Sequence, residues 1–408
     1  MNTKICIVGL GYVGLPIFLK LRNFFNVKGF DNNTKRVTSL KKGIDLNKEF
    51  SKKELLKNKK NFFLTNNIKD IEDCNFYIVA VPTPILKNND PDLNIIKDAC
   101  KKIGKILKKD DIVFFESTVY PGVSNNICRK ILEKNSKLKN NKDFSIGYSP
   151  ERINPGDSKH TIANINKIVA FSHTNQKKII LIKSIFKKIS KKIIYTKDIE
   201  AAETAKVIEN IQRDLNIGLF NEIYKVCEKL NIDFKETIKL ASSKWNFIPY
   251  KPGLVGGHCL PVDPYYLAFI AKRNGLKMRI LLAGRRVNNE MTAYVFKKIL
   301  SKLKKNKINI KNSRILILGE TYKPNVADQR NSLAQKIIQK LYRLNKKLKV
   351  YDPTLDNFYT EKKYRIKRLE LSDEYDAIIQ LVDHKVFYKK IQLYLKKNKN
   401  TFYYKLFD

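Results

Sequence analysis

The chain has 408 residues, with 81 Lys and Arg against 39 Asp and Glu and a formal net charge of +42. At roughly 150 residues per domain that length predicts two or three domains, and a 43% hydrophobic share supplies real cores, which excludes wholesale disorder. The six cysteines form no CxxC pair and are too sparse for a disulfide scaffold, which excludes zinc ribbons, thioredoxin-type redox motifs and small secreted folds.

Residues 4–8, Lys-Ile-Cys-Ile-Val, read as a strand, followed by a glycine turn and a helical stretch from Val13 to Phe25. A second strand, Val27 to Phe30, ends at Asp31, so the chain opens with a β-α-β unit. Phe76–Val81 and Ile112–Glu116 read as further buried strands. Alternation of strands and helices predicts a parallel sheet covered on both faces. From Glu200 to Leu230 the texture changes to one long helical pattern, with apolar residues at Ala205, Ile208, Ile211, Leu215 and Leu219. Helices are expected again at Pro264–Asn274 and Thr292–Leu303, after a loop from Pro249 to Pro264. Strand Arg314–Leu318, helix Leu333–Leu344 and strands Leu348–Tyr351, Ala377–Leu381 and Thr401–Tyr404 then form a second α/β run.

The N-terminus shows no cleavage pattern, and no uncharged run approaches the roughly 20 residues of a membrane span. The expectation is a cytoplasmic protein. The lysines are spread along the chain, from Lys41-Lys42 to Lys396-Lys397. A polyanion footprint should cluster on one face, so neither a nucleic-acid nor a membrane partner is expected.

Gly9-Leu-Gly11-Tyr12-Val13-Gly14 follows a strand and opens a helix, the arrangement in which a backbone turn meets a dinucleotide pyrophosphate at a helix N-terminus. Asp31, 20 residues after Gly11, is placed to accept ribose hydroxyls and favours NAD over NADP, with Lys35 and Arg36 nearby. Thr83 in Val81-Pro-Thr-Pro84 and Thr118 in Glu116-Ser-Thr-Val-Tyr-Pro-Gly122 each follow a strand, and each is either a ligand contact or part of a plain turn. Gly256-Gly257-His258-Cys259 gives a cysteine room for a ligand, with Asp263 four residues on as a group that could orient water. Glu203, Lys206, Asn210 and Asp214 share one helical stripe, either solvated or functional. Ser149-Pro-Glu151-Arg152-Ile-Asn-Pro-Gly156 and Gly319-Glu-Thr-Tyr-Lys323-Pro324, the latter followed by Arg330, are further polar turns. His160, His173 and His384 have no metal-ligand spacing and read as structural or surface residues, and no metal is expected. Trp245 reads as a core or pocket residue.

Together these motifs resemble the UDP-sugar 6-dehydrogenases related to UDP-glucose dehydrogenase. The segments Tyr148–Asp157, Gln212–Ile217, Lys244–Phe247 and Pro252–Cys259 look most like the branch acting on UDP-N-acetylglucosamine or UDP-N-acetylgalactosamine in capsule and O-antigen biosynthesis. The resemblance implies two Rossmann-like parallel-sheet α/β domains, residues 1–198 and 301–408, joined by a central helical domain at 199–300 that forms a homodimer or higher oligomer. It implies a four-electron oxidation of the sugar C6 alcohol to the acid with NAD, through a thiohemiacetal and a thioester on Cys259. Lys206 and Asn210 would stabilise the alkoxide, and Asp263 and Glu151 would manage protons and water, with Thr118 beside them. Gly9, Gly11, Tyr12, Val13, Gly14, Asp31, Arg36, Thr83, Thr118 and Arg330 match cofactor positions. Glu151, Arg152, Lys206, Asn210, Tyr250, Gly253, Gly257, Arg286 and Lys323 match substrate positions, Arg286 reaching the partner subunit's substrate. Two positions depart from the pattern: Glu320 and Ala327 stand where relatives usually have apolar and acidic residues, and an acid at Glu320 would repel a diphosphate. UDP-N-acetylmannosamine, UDP-glucose and a two-electron 3-hydroxyacid-type reaction are the alternatives, the last lacking the cysteine loop and the second α/β domain.

Overall fold

The computed structural model describes residues 3–57, 62–152, 162–173, 175–355, 364–366 and 372–408. The chain divides into two compact units, Met1–Glu209 with Val262–Lys277, and Asn210–Pro261 with Met278–Asp408.

The strands of the first unit are β1 (Lys4–Val8), β2 (Asn26–Phe30), β3 (Phe63–Thr65), β4 (Phe76–Val79), β5 (Ile112–Phe115), β6 (Ser145–Tyr148), β7 (Lys167–Ala170) and β8 (Ile193–Thr196). They form one sheet in the order β3-β2-β1-β4-β5-β6-β7-β8. Every pairing is parallel except β6 with β7. β4 and β5 are buried at every position, as strands covered on both faces must be. The connecting helices are α1 (Gly14–Leu21), α2 (Thr34–Lys41), α3 (Lys52–Leu56), α4 (Asn94–Ile106), α5 (Arg129–Ser136) and α6 (Gln176–Ile189). Chain order reverses between β1 and β4, which makes their carboxyl ends the switch point where ligands bind such sheets. Phe114 anchors the core, with ring centroids 5.7 Å from Phe76, 5.9 Å from Phe171 and 4.9 Å from Phe186. Gly147 on β6 leaves that ring its space, since a Cβ there would lie 2.3 Å from it.

After β8 come α7 (Ile199–Leu230), α8 (Phe234–Ala241), α9 (Asp263–Arg273) and α10 (Arg279–Lys305). The α7 pattern expected from Glu200 to Leu230 is met within one residue. α10 starts 13 residues before the expected Thr292, a stretch disguised by Gly284. That glycine is a packing choice: a Cβ on Gly284 would lie 2.4 Å from the Leu215 side chain, and one on Gly218 would lie 3.2 Å from the Gly284 carbonyl. A buried polar chain ties α7 to α10. Arg285 pairs with Asp214, Asn288 donates to Asp214 Oδ1 at 2.9 Å, and Asn221 donates to Asn288 at 2.9 Å.

The second unit's sheet has β9 (Ile315–Leu318), β10 (Lys349–Tyr351), β11 (Ala377–Gln380) and β12 (Phe402–Lys405), in the order β10-β9-β11-β12 and parallel throughout. α11 (Leu333–Leu344) falls where its periodicity predicts, and α12 (Phe387–Lys397) connects β11 to β12. At the end of β10, Asp352 Oδ2 accepts the amides of Glu320 at 2.7 Å and Thr321 at 3.0 Å, and lies 3.2 Å from His384 Nε2. Burial alone would raise this carboxyl, but the His384 hydrogen bond and charge, with the amide and Thr354 donors, hold it well below the usual carboxylate range. His384 is therefore structural and fully buried.

Replacing Asp352 by Ala should leave two buried amides without acceptors and lower the stability of this unit by about 2–4 kcal/mol in urea unfolding. A depressed folded-state carboxyl stabilises above the unfolded carboxylate range near about pH 4 and loses that contribution as pH falls further. The acid limb of a melting profile should accordingly be flatter in Asp352→Asn than in wild type.

Candidate active site

In the first unit the glycine turn has the shape a dinucleotide needs. Gly9 has φ +95°, and a Cβ there would lie 2.7 Å from the Ala80 carbonyl at the end of β4. A Cβ on Gly14 would lie 1.8 Å from the Gly9 carbonyl, so only glycine lets α1 begin here. A Cβ on Gly11 would meet nothing within 4 Å, which leaves that side of the turn open to approach. The open turn, with Tyr12 and Val13 leading into α1, fits a pyrophosphate at the helix N-terminus. Asp31 accepts the Leu10 amide at 2.8 Å and the Asn33 amide at 2.8 Å, so it shapes the turn as well as ending β2. Arg36 is buried, donates to the Leu10 carbonyl at 2.8 Å and pairs with Asp45 at 2.6 Å. Its charge is thus neutralised within the protein, which removes the cation a 2′-phosphate would seek.

Thr83 and Thr118 are stitched together. Thr83 Oγ1 donates to the Thr118 carbonyl at 2.6 Å, and Tyr266 on α9 donates to the Thr83 carbonyl at 2.7 Å. The turn after Thr118 is held by Glu203 of α7, which accepts the amides of Gly122 at 2.6 Å and Ser124 at 2.9 Å. Burial pushes the Glu203 carboxyl up to about 7 against those two donors.

The stripe on α7 is not a solvated face. Glu203 and Asp214 are fully buried and Lys206 is 9% exposed. Among the described residues the Lys206 ammonium has no hydrogen-bond or ion-pair partner. A buried, unpaired cation is costly and suits a site that receives negative charge. Asn210 lies one turn on and is half-buried. Arg152 pairs with Glu209 at 2.6 Å and donates to the Asn166 carbonyl at 3.2 Å. Glu151 is buried, and Lys167 Nζ lies 3.0 Å from its Oε2. Asp263 is buried in the first turn of α9, with Pro264 following. Asn154–Gly156 and His160 lie outside the described residues.

In the second unit, Gly256 and Gly257 lie flat against their neighbours. A Cβ on Gly256 would lie 2.8 Å from the Asn331 carbonyl, and one on Gly257 would lie 2.8 Å from the Tyr322 ring. Gly257 also has φ +89°, donates its amide to the Arg330 carbonyl at 3.2 Å and accepts from Asn331 at 3.0 Å. This clamp carries Cys259. Five of the six cysteines are buried and Cys259 alone is partly exposed, as a nucleophile must be. Arg330 forks onto Asp328, which lies 3.7 Å from His258 Nδ1. Gly253 is fixed through both backbone groups by Asn221, at 2.8 and 3.1 Å. The Tyr250 ring packs 5.9 Å from Phe220, Lys323 Nζ sits 5.7 Å from the Tyr322 ring centroid, and Arg286 is exposed. Trp245 is 91% exposed, so it is not a core residue.

The acid at Glu320 has a specific answer. Arg365 pairs with it at 2.7 Å and Gln335 donates to it at 3.1 Å, so it is buried with its charge balanced. Sequence reasoning passed over Arg365, Asn221, Lys167 and the Glu203 amide contacts. Asn221 lies on the extrapolated face of α7, and the others have partners 45 or more residues away. Among the described residues no cluster of His, Cys, Asp and Glu could hold a metal, and no helix is long and apolar enough to cross a membrane.

Three family descriptions match the chain in succession. They are the NAD binding, central and UDP binding domains of the UDP-glucose/GDP-mannose dehydrogenase family, at residues 3–190, 200–290 and 316–405. A UDP-N-acetyl-D-glucosamine 6-dehydrogenase from Salmonella typhi is 43% identical over 389 residues, covering 95% of this chain and 91% of that protein. One from Pseudomonas aeruginosa is 42% identical, covering 95% and 92%. A solved structure of a UDP-D-ManNAc dehydrogenase from Pyrococcus horikoshii aligns with TM-score 0.85 at 27% identity, covering 99% of this chain and 95% of that one.

Gly257→Ala should strain the backbone and push the loop off Tyr322. Turnover should fall by roughly 100-fold, the cost of a displacement of about 1 Å at a reacting group, while circular dichroism stays native. Unchanged turnover would show that the cysteine loop needs no such clamp.

Proposed function

The chain belongs to the UDP-glucose/GDP-mannose dehydrogenase family, an NAD-dependent UDP-sugar dehydrogenase by its domains and relatives, and we propose that it oxidises the C6 alcohol of UDP-GlcNAc or UDP-GalNAc to the uronic acid through Cys259. Dehydrogenation of a UDP-N-acetylhexosamine is the common activity in the names of its relatives. The observation that carries the covalent reading is the exposure of Cys259 alone among six cysteines, on a loop that only Gly256 and Gly257 permit.

Bound NAD⁺ supplies a two-electron acceptor, engaged twice for each sugar. The chain's own residues do the rest. Lys206 offers a cation, and Asn210 an amide donor, to the C6 oxygen as it loses its proton. The Cys259 thiolate adds to the resulting aldehyde carbon and forms a C–S bond, giving a thiohemiacetal. The second oxidation leaves a thioester on the sulfur. Water then attacks, the C–S bond breaks, and the thiol is released with the carboxylate. Glu151 and Asp263 are the carboxylates assigned to hold that water and take its proton. The balance is one alcohol, two NAD⁺ and one water giving one carboxylate, two NADH and three protons. Thr83, Thr118, Asp31, Arg330 and the glycine turn are assigned to the cofactor, and Arg152, Tyr250, Gly253, Gly257 and Lys323 to the sugar nucleotide. The three-domain division at 198 and 300 is retained as a functional one, cofactor, helical core and nucleotide.

We assign the helical core to a homodimer. Trp245, Ile280, Ile248, Leu240 and Leu230, all in the second unit, are each more than 60% exposed, which large apolar side chains tolerate poorly in water. Arg286, exposed on α10, is the residue assigned to the partner's substrate.

A panel of UDP-GlcNAc, UDP-GalNAc, UDP-ManNAc and UDP-glucose should give NADH fastest with one of the first two, at two NADH per sugar. One NADH per sugar, or turnover confined to UDP-glucose, would overturn the assignment. Cys259→Ser should lose at least about 100-fold in turnover, while NAD binding by fluorescence titration is kept. Sedimentation equilibrium should return twice the 47.5 kDa chain mass or a multiple of that. A monomer would remove the role given to Arg286.

A further inference from the structure

Glu116 and Lys167 belong to none of the roles above, yet both are among the most deeply buried charged residues of the first unit. Glu116 directly follows β5, and Lys167 opens β7. Lys167 Nζ lies 2.5 Å from Glu116 Oε2, 3.0 Å from Glu151 Oε2 and 3.3 Å from the Pro150 carbonyl. Its three N–H groups therefore have three acceptors. Glu151 Oε1 accepts the Arg152 amide at 2.6 Å. Glu116 Oε1 is buried and has no hydrogen-bond partner among the described residues.

The charge count is the informative part. Two carboxylates share one ammonium, and the side chains of all three are at most 5% exposed. With both carboxylates ionised, one negative charge would stay uncompensated in the interior. With one protonated, the cluster is neutral. An ionised Glu116 would also bury a charged oxygen with only the Ser149 hydroxyl beside it to donate. Burial pushes its carboxyl up to about 8, with Lys167 opposing and Glu151 adding to the rise. Lys167 faces Glu116 from β7 and Glu151 faces it from the segment after β6, where Ser149 is the polar neighbour. The adjacent Arg152 is already balanced by Glu209.

We propose that Lys167 and Glu116 are positioning residues for Glu151: Lys167 fixes one Glu151 oxygen, and Glu116 holds the proton that makes the buried cluster neutral. This rests on the role given to Glu151 in handling water. No group is consumed. One proton stays on Glu116, and Lys167 holds the Glu151 carboxyl in place.

The test compares wild type with Glu116→Gln, Lys167→Met and Glu151→Gln in the full chain. Infrared difference spectra across about pH 5–9 should show, beside the Glu203 carboxyl near about 7, a second buried protonated carboxyl in wild type that titrates near about 8 and is absent in Glu116→Gln. A carboxyl that holds its proton in the folded state above the unfolded value of 4.5 makes stability fall as pH rises from there to about 8. That fall should be smaller in Glu116→Gln, which needs no proton. Lys167→Met should lower kcat by roughly 100-fold with the KM for the UDP-sugar within about twofold. No carboxyl signal in wild type that Glu116→Gln removes, or an unchanged pH–stability curve in Glu116→Gln, overturns the proposal even if Glu151→Gln is inactive. Full turnover by Glu151→Gln overturns instead the role given to Glu151. Should Lys167→Met fail to fold, the Glu116→Gln spectrum still decides.

Discussion

In both sheets a carboxylate at the end of one strand holds the backbone of the glycine turn that follows its neighbour. Asp31 after β2 takes the Leu10 amide, and Asp352 after β10 takes the amides of Glu320 and Thr321. The turns they hold begin with glycines at φ +95° and +88°. Each turn is held rigid because its first amides find an acceptor in the neighbouring strand's aspartate. Aspartate supplies that acceptor from a short side chain at the strand end. The two halves share no evident sequence, but they meet the same constraint with the same residue type at the same place.

Elsewhere several buried ions are held by side chains of opposite charge. Asp214 with Arg285, Glu320 with Arg365 and Glu116 and Glu151 with Lys167 each bury ions that would be costly alone. Lys206 is the exception among these, buried and without a partner among the described residues. The contrast sets ion pairs that neutralise one another within the protein apart from a cation that the described residues leave uncompensated.

What could be read from the sequence follows from how local each signal is. α7 and α11 show an unbroken helical period, and Cys259 is marked by the two glycines before His258. The start of α10 was hidden because Gly284 reads as a breaker until Leu215 is seen against it. β7 was passed over because it opens with a lysine, and nothing within a few residues says that a carboxylate 51 positions back neutralises it. The stripe on α7 was open between a wet face and a working one, since spacing gives a common side but not its surroundings. Burial excludes the wet face, and burial comes from residues distant in the chain.

The distribution of thiols has a further consequence for the protein's life under oxidative stress. Cys6 neighbours Cys74 and Cys128 neighbours Cys100, and in both sites burial and the sulfur neighbour raise the thiol well above its ordinary range, which keeps it unreactive. Among the thiols, peroxide therefore finds one that is partly exposed, at Cys259. Oxidation would therefore begin at the glycine-flanked loop before it can reach the cores. The early sulfenic stage can still be reversed by an external thiol, while further oxidation is permanent.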